Sequence, residues 1–179
     1  MGNTALATTG GGVGGEVRSL IGRSAKIQFG VVTLDNLYFA MYQGTSGILA
    51  NEELAGILGS AILQRYRCVF DYPGERILFY DNTHDTDRLD YDKSGMFLVS
   101  DINDRSVISV IDVVAGSPGD EAGFETGDVI TAVDGTPADQ LRLEGIRRLF
   151  RSPAGSVFRI NVQRSGNPHD LELTLHKII

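Results

Sequence analysis

Few side chains in this sequence have the type and spacing that catalysis or metal binding requires. Cys68 is the single cysteine of the 179 residues, so neither an intrachain disulfide nor a cysteine-based metal site can form. It lies in the strand pattern RCVFDY, which is typical of a buried, unreactive thiol. The histidines, His84, His169 and His176, occupy polar loop or terminal segments without metal-ligand spacing. We therefore expect no metal site, no cofactor and solvated histidines.

A serine nucleophile would need a Gly-x-Ser-x-Gly loop together with a histidine and an aspartate. The nearest strings, GTSGI and GSPGD, do not supply that pattern in a plausible context. The sequence therefore disfavours an accessory of a serine protease.

Composition and charge exclude several other classes. The net charge of −7 and the pI near 4.9 disfavour nucleic acid and anionic membranes as partners, since both need clustered Lys and Arg. No apolar run approaches the ~20 residues that span a bilayer. The start, MGNTALATTGGGVGG, lacks the basic and apolar regions of a signal peptide. With 42% apolar and 22% charged residues, the composition is typical of a globular protein.

Apolar alternation in the first 80 residues predicts a mainly β arrangement with short helices. A short helix is predicted near 57–65. Pro73-Gly74 separates the strand patterns RCVFDY and RILFY, as a hairpin turn would. Before them, strands are predicted near 15–21, 25–33 and 36–42.

A polar segment separates this half from the rest of the chain. The string YDNTHDTDRLDYDKSG is rich in Asp, Asn, Thr and Ser and has few apolar anchors, which is typical of a linker. We therefore divide the chain into a first unit over residues 1–80, a linker over 81–94 and a second unit over 95–179.

The second unit has the pattern of a small β domain with two helices. Ser117-Pro118 has the sequence of a helix start, with the serine as N-cap and the proline at the first helical position. A longer helix is predicted near 140–151 from apolar residues at helical spacing. Strands are predicted near 96–101, 106–113, 128–133, 156–163 and 170–176.

The string VVAGSPGDEAGFETGDVITAVDGTPADQL resembles the centre of a bacterial PDZ domain, a peptide-binding module, and the resemblance runs from about 94 to 177. Most of its motif residues are structural. Gly123 can end a helix in a left-handed cap, Gly127 permits a tight turn, and Asp134-Gly135 is a turn dipeptide. We interpret Asp128 as a turn-bonding carboxylate. The matching residues are Gly116-Ser117-Pro118, Ala122-Gly123-Phe124, Gly127-Asp128-Val129-Ile130 and Val133-Asp134-Gly135.

The resemblance implies a groove, between the strand near 96–101 and the helix near 140–151, that binds peptides or protein C-terminal segments. A ligand would add as an extra strand to the exposed edge. On the helix, Leu143 and Arg147 share a face and are candidates to line the pocket; the alternative is a core Leu143 and a solvated Arg147. The family's carboxylate-binding loop is Gly-Leu-Gly-Phe, which SGMFLV matches with Gly95, Met96, Phe97 and Leu98. Phe97 stands where the second glycine is expected.

Gly56-Ile57-Leu58-Gly59 and the following YRCVFDYPGERILFY resemble the C-terminal half of a bacterial retropepsin-like aspartic protease. The resemblance implies that Ile57 and Leu58 fill a core beneath a catalytic loop. Such enzymes use two aspartates from Asp-Thr/Ser-Gly triplets to activate a water. The 179 residues contain no such triplet. We therefore assign no catalytic residue and expect this chain by itself to be inactive.

The two resemblances together predict a fragment of a bacterial aspartic peptidase, with a partial retropepsin-like β fold followed by a PDZ domain. The alternative is a non-enzymatic, peptide-binding adaptor on a degenerate protease scaffold. The resemblance also implies the bacterial cell envelope or periplasm. We further expect a homodimer or higher oligomer through residues 10–80, or poor order there, because a truncated protease fold exposes apolar sheet edges.

Overall fold

The computed structural model describes residues 4–12, 15–63, 65–81 and 91–178, and over these residues the protein is mainly β with short helices. The helices are α1 (Ser60–Leu63), α2 (Pro118–Glu121) and α3 (Ala138–Phe150), with a 3-10 turn at Ile48–Ala50. In chain order the strands are β1 (Ala5–Gly12), β2 (Gly15–Phe29), β3 (Val32–Tyr42), β4 (Tyr66–Asp71), β5 (Arg76–Asp81), β6 (Met96–Ser100), β7 (Ile108–Val113), β8 (Val129–Val133), β9 (Thr136–Pro137), β10 (Val157–Arg164) and β11 (Asn167–Thr174).

The first three strands form an antiparallel meander in the order β1-β2-β3. The two strands predicted near 15–21 and 25–33 are largely one long strand, because the chain reverses only at Gly30, whose φ of 56° suits a turn. Sequence alternation predicts no strand at β1, since its sequence ALATTGGG is rich in glycine. Pairing with β2 nevertheless orders β1, with a register shift between Thr8 and Gly10.

The C-terminal strands form an antiparallel sheet in the order β11-β10-β8-β7-β6, with β9 paired to β8. The five strands predicted from the sequence are confirmed, each displaced by at most three residues. Their inward residues and α3 enclose an apolar core that includes Ile108, Ile130, Ile146, Phe150, Ile160 and Leu173. Because β6 is the last strand of the order, one of its edges carries no described strand.

The helix signals are also confirmed. The Ser117 hydroxyl accepts from the Asp120 amide at 3.4 Å, and Pro118 opens α2. Gly123, with φ of 83°, follows α2 in the left-handed conformation. The helix α3 begins two residues before the predicted start and is interrupted at Arg142, whose φ of 58° is not helical.

The chain divides into two compact units. The larger unit contains residues 1–44 and 91–179, so the β1-β2-β3 sheet belongs with the C-terminal sheet. Two contacts show this association: the Thr8 amide on β1 donates to Asp112 on β7 at 2.8 Å, and the rings of Tyr38 and Tyr91 lie 3.8 Å apart between centroids.

The smaller unit, residues 45–90, contains α1 and the β4-β5 hairpin. No side chain that the structure describes between residues 45 and 81 is buried. Ile57 is 67% exposed, so the prediction that it fills a core beneath a catalytic loop is wrong. The predicted helix at 57–65 is a single turn, α1. The partial retropepsin-like fold is therefore not supported.

Two predictions fall partly outside the described residues. The linker predicted at 81–94 includes residues 82–90, and His84 lies among them.

Within the described part of the chain, no helix is long and apolar enough to cross a membrane.

Candidate functional site

A cavity of ≈ 290 Å³ lies against the edge strand β6 in the larger unit. Five of the six residues predicted to bind a peptide line it: Gly95, Met96, Phe97, Leu98 and, from α3, Arg147. Its volume is near the lower end of the ~300–1,000 Å³ of small-molecule sites.

The sixth predicted residue, Leu143, does not line this cavity. Its side chain is partly buried and packs against the apolar core of the C-terminal sheet. Neither alternative for the helix face holds as a whole, because Leu143 packs against the core whereas Arg147 lines the cavity. Whether these residues bind a peptide stays a prediction.

The β1-β2-β3 sheet supplies part of the cavity wall, which the sequence analysis missed. Ala5 lies on β1, Ile21 on β2 and Tyr38 on β3, and all three line the cavity together with the C-terminal Ile178. These residues are far from β6 in sequence, so no local pattern joins them to the groove. The wall is consequently more apolar and more closed than β6 and α3 alone would make it.

The loop that enters β6 is tightly constrained. Gly95 has a φ of 73°, and a Cβ at this position would lie 2.2 Å from the Ser117 Cβ, so the position requires glycine. The Met96 amide donates to the Ser94 hydroxyl at 3.1 Å. The Ser94 hydroxyl and amide in turn donate to Asp92 Oδ1 at 2.5 and 2.8 Å. One amide of the predicted carboxylate-binding loop is therefore already bonded within the chain.

Asp92 lines the same cavity and carries the acidic group of this network. Burial raises the pKa of its carboxyl, while the hydrogen bonds from Ser94 and the charges of Arg147 and Arg151 oppose that shift. The result is a carboxyl that is ionised less readily than a solvated one.

Arg147 places a permanent positive charge at the groove. Its Nη2 donates to the Leu98 carbonyl of β6 at 2.9 Å, and its Nη1 donates to Glu144 at 3.1 Å. The Arg147 side chain is 37% exposed, and Glu144 is largely exposed. The guanidinium thus bridges α3 to the edge strand that an added strand would use.

The ion pair beneath β8 is structural, in agreement with the prediction for Asp128. Asp128 is fully buried and accepts from the Glu125 amide at 2.9 Å, which closes the turn before β8. Arg164 on β10, which the sequence analysis missed, donates to both carboxylate oxygens from Nε and Nη2 at 2.7 and 2.8 Å. Although burial opposes it, the hydrogen bond from Arg164 helps to lower the pKa of Asp128.

The remaining chemical candidates have local roles. Cys68 lies on β4 as predicted but is only partly buried, with its Sγ 3.6 Å from the Leu63 carbonyl. His176 is not simply solvated: its Nε2 lies 3.0 Å from Glu121 of α2 and its Nδ1 3.0 Å from the Lys177 carbonyl. His169 is exposed on β11, as predicted.

Comparison with known proteins supports the C-terminal prediction. The sequence model of the PDZ domain family matches residues 101–164. A curated protein described as "Probable periplasmic serine endoprotease DegP-like", from Rhizobium meliloti (strain 1021), is 36% identical over 66 residues. That match covers 37% of this chain and 13% of the relative, so the similarity spans only a small part of the relative's length.

Two solved structures of proteases are also similar. A photosystem II D1 C-terminal processing protease is 26% identical, with a TM-score of 0.46 over 52% of this chain and 25% of that chain. A serine endoprotease from Yersinia pestis is 14% identical, with a TM-score of 0.45 over 100% of this chain and 63% of that chain. Both TM-scores are too low to assign the fold of the whole chain.

The prediction of an aspartic, retropepsin-like peptidase is wrong. The curated relative that matches part of this chain is described as a serine endoprotease, and this similarity contradicts the aspartic assignment. The physical reason for the error is that the Gly56-Ile57-Leu58-Gly59 motif is short, and its Ile57 is exposed where a protease core would bury it.

Proposed function

We propose that the chain, whose residues 101–164 match the PDZ domain family, binds extended peptide or protein C-terminal segments by strand addition to β6. The ligand lies between β6 and α3, and its side chains alternate between the cavity and solvent. Backbone hydrogen bonds to β6 supply affinity, and the cavity supplies selectivity for one apolar side chain.

The observation that carries this proposal is the edge of β6 that pairs with no described strand and lies beside an apolar cavity. An unpaired strand edge presents a row of donors and acceptors that another chain can pair with. The cavity lies against the same strand, so a segment that pairs with β6 places its side chains there. Leu98 belongs to both features. It lies on the edge strand, where its carbonyl accepts a hydrogen bond from Arg147, and its buried side chain lines the cavity.

Hydrogen–deuterium exchange of the chain, with and without a pool of random decapeptides, tests the proposal. We expect the peptides to slow exchange in the segment 95–100 and in the second half of α3. Slower exchange confined to other strands, or no change anywhere, would contradict binding at this groove.

For the whole protein, we propose that the chain is the peptide-recognition part of a serine endopeptidase. The 36% identity with the DegP-like relative supports this proposal. The catalytic serine would not be that of GTSGI or GSPGD, since neither string has the pattern of a nucleophile loop. A non-enzymatic peptide-binding adaptor is the second candidate, because the chain itself lacks a recognisable nucleophile loop. Labelling of the native protein by a fluorophosphonate probe, which reacts with activated serines, separates them: labelling supports the endopeptidase, and absence of labelling supports the adaptor.

We also propose that the protein works in the bacterial periplasm or cell envelope, as the description of the DegP-like relative suggests. Cell fractionation followed by immunoblotting checks this location. Recovery of the native protein in the cytoplasmic fraction would contradict it.

We propose, finally, that copies of the chain associate through residues 10–80. The β4-β5 hairpin supports this, because its Phe70, Tyr72 and Ile77 expose much of their apolar surface. Multi-angle light scattering should give at least twice the 19.3 kDa mass of one chain. A single-chain mass at all concentrations would contradict the proposal, and substitution of Phe70 by Ser should reduce the measured mass.

A further inference from the structure

We propose that residues 175–178 form a strap that closes one end of the cavity beside β6, and that a peptide binds there only after it displaces the Ile178 side chain. This inference concerns the regulation of the proposed peptide-binding site and rests on that function. In the closed state, the group that faces the cavity at this end belongs to the chain itself.

The position of Ile178 is the first argument. Ile178 lines the cavity together with Gly95 and Met96, at the loop that enters β6. A Cβ at Gly95 would lie 3.3 Å from the Ile178 Cδ1 atom, so the isoleucine side chain packs closely against the backbone of this loop. A segment that pairs with β6 from its first residue must pass this loop. Its side chain and that of Ile178 would then compete for the same end of the cavity.

The strap does not have the conformation of a bound ligand strand. Residues 175–178 follow β11 and belong to no strand. Among the described strands, β6 pairs with β7 alone, so the strap leaves the outer edge of β6 without a strand partner. An incoming segment thus competes with one side chain of the strap, not with a row of backbone hydrogen bonds.

The strap is firmly attached at its first residue. Leu175 is fully buried and packs in the core of the C-terminal sheet. Its amide donates to the Ser156 carbonyl at 2.9 Å, and its carbonyl accepts from the Gly155 amide at 2.7 Å. None of these contacts involves Ile178. Movement of the Ile178 side chain therefore does not require the core to open.

Beyond Leu175 the strap is held by weaker contacts. His176 Nε2 lies 3.0 Å from the Glu121 carboxylate of α2, and the two side chains are 39% and 62% exposed. An ion pair this exposed contributes little to stability. The Ile178 side chain is only partly buried, so its return to water loses part of the apolar burial of one isoleucine. The closed state is therefore favoured by a modest margin that a ligand can overcome.

Opening of the strap and peptide binding are then coupled. If only the open state binds, the apparent dissociation constant rises in inverse proportion to the open fraction. A peptide whose apolar side chain enters the cavity replaces the contacts that Ile178 loses. Weakening the strap should therefore tighten peptide binding, whereas loss of an ordinary wall residue should weaken it.

The test uses the full chain and a decapeptide from the random pool that slows hydrogen exchange in the segment 95–100 of the wild type. Its dissociation constant is measured by fluorescence anisotropy of a fluorescein-labelled copy. We expect Ile178→Ala to bind it about 3- to 10-fold more tightly than the wild type, as release of one partly buried isoleucine implies. Glu121→Ala, which removes the contact to His176, should tighten binding by about 1.5- to 3-fold. Ile102→Ala, at a 91% exposed isoleucine in the loop after β6, is the matched control and should bind as the wild type does.

Methyl NMR observes the displacement directly. In wild-type protein with isotope-labelled isoleucine methyl groups, we expect a nuclear Overhauser contact between the Ile178 δ1 methyl group and the Gly95 α-protons. This contact should be lost when the decapeptide is bound. The Ile178→Val variant assigns the methyl signal, and thermal unfolding shows that each variant is folded.

The outcomes separate this inference from the function on which it rests. Weaker binding by Ile178→Ala than by the wild type overturns the strap and makes Ile178 part of the binding wall, while peptide binding stands. Equal affinity of these two proteins, or a contact to Gly95 that persists in the peptide complex, also overturns the strap alone. If no decapeptide slows exchange in the segment 95–100 of the wild type, the proposed function is overturned and the inference with it.

Discussion

Two antiparallel strand pairs, β10-β11 and β4-β5, have similar sequence patterns but bury different fractions of their apolar side chains. Ile160 on β10 is 1% exposed, whereas Ile77 on β5 is 48% exposed, although both are isoleucines in antiparallel strands. β10 pairs on both sides, and its Phe158 contacts Phe150 of α3 in the core, while among the described strands β5 pairs with β4 alone. A two-stranded hairpin is marginally stable by itself. Strand patterns thus identify strands, but the number of paired neighbours decides whether a core forms.

The largest expected effect comes from testing this difference directly. Ile160→Ala should lower the free energy of unfolding by about 2–5 kcal/mol, because it removes buried methyl groups and leaves a cavity. Ile77→Ala should cost less than about 1 kcal/mol, since half of its side chain is already in water. Because the chain has no tryptophan, circular dichroism during urea titration is the suitable measurement.

If Ile77→Ala lowered the free energy of unfolding as much as Ile160→Ala, the difference between β5 and β10 would be contradicted. Such a result would mean that another part of the protein covers the hairpin in solution, as in self-association through residues 10–80. Repeating the titration at several protein concentrations tells the two explanations apart, since only the associated form depends on concentration.

A smaller effect is expected at the buried ion pair of the larger unit. Asp128→Asn should cost about 1.5–3 kcal/mol at neutral pH, because Arg164 loses a charged acceptor. The hairpin provides the control: Asp71 pairs with Arg76 at 2.8 Å near the surface, and Asp71→Asn should cost less than about 1 kcal/mol. Urea titration of both variants measures the difference.

The pH dependence of Asp128→Asn gives a sharper form of this prediction. Burial acts to raise the pKa of Asp128, but the hydrogen bonds from Arg164 and the Glu125 amide lower it overall. A lowered pKa stabilises the folded state above the unfolded value of about 3.9 and loses that contribution as pH falls through the folded value. The difference between wild type and Asp128→Asn should therefore shrink below about pH 4. A difference that stays constant into strong acid would contradict the ion pair.

The β1-β2-β3 sheet offers a third test, because it belongs to the groove and not to the hairpin. Ile21→Ala should weaken binding of a peptide that slows hydrogen exchange in β6 by about fivefold, or about 1 kcal/mol, through loss of apolar contact in the cavity. Ile27→Ala, on the same strand outside the cavity, is the matched control. Fluorescence anisotropy of a labelled peptide measures both, and equal weakening in the two variants would remove the N-terminal sheet from the site.

The sequence predicted the C-terminal unit well because its signals are local. The Ser117-Pro118 cap, the Gly123 and Gly127 turns and the strand alternation each act within a few residues, and each is found in the structure. Leu143 was the exception, because a residue on a shared helix face can contact either the core or the groove.

The N-terminal part was predicted poorly because its organisation depends on distant contacts. The hydrogen bond from Thr8 to Asp112 joins residues that are 104 positions apart. Tyr38 and Tyr91 are in contact although the whole smaller unit lies between them in the sequence. No periodic pattern predicts such pairs. The Gly56-Ile57-Leu58-Gly59 motif gave a misleading assignment because four residues specify little without the surrounding core. The same limitation hid Ala5, Ile21 and Tyr38 from the predicted site.

The smallest predicted effect concerns the end of the larger unit, where His176 contacts α2. The Lys177 carbonyl and, less strongly, the Glu121 carboxylate raise the pKa of His176, while burial opposes them. A raised pKa stabilises the folded state fully below the unfolded value of about 6.5 and loses that contribution as pH rises through the folded value. His176→Gln should therefore cost about 0.2–0.5 kcal/mol near pH 5 and almost nothing near pH 8, because the pair is largely exposed. His169→Gln, on the exposed side of β11, is the control in urea titrations at both pH values. An equal response of the two variants would show that the Glu121 contact does not hold the C-terminal segment in solution.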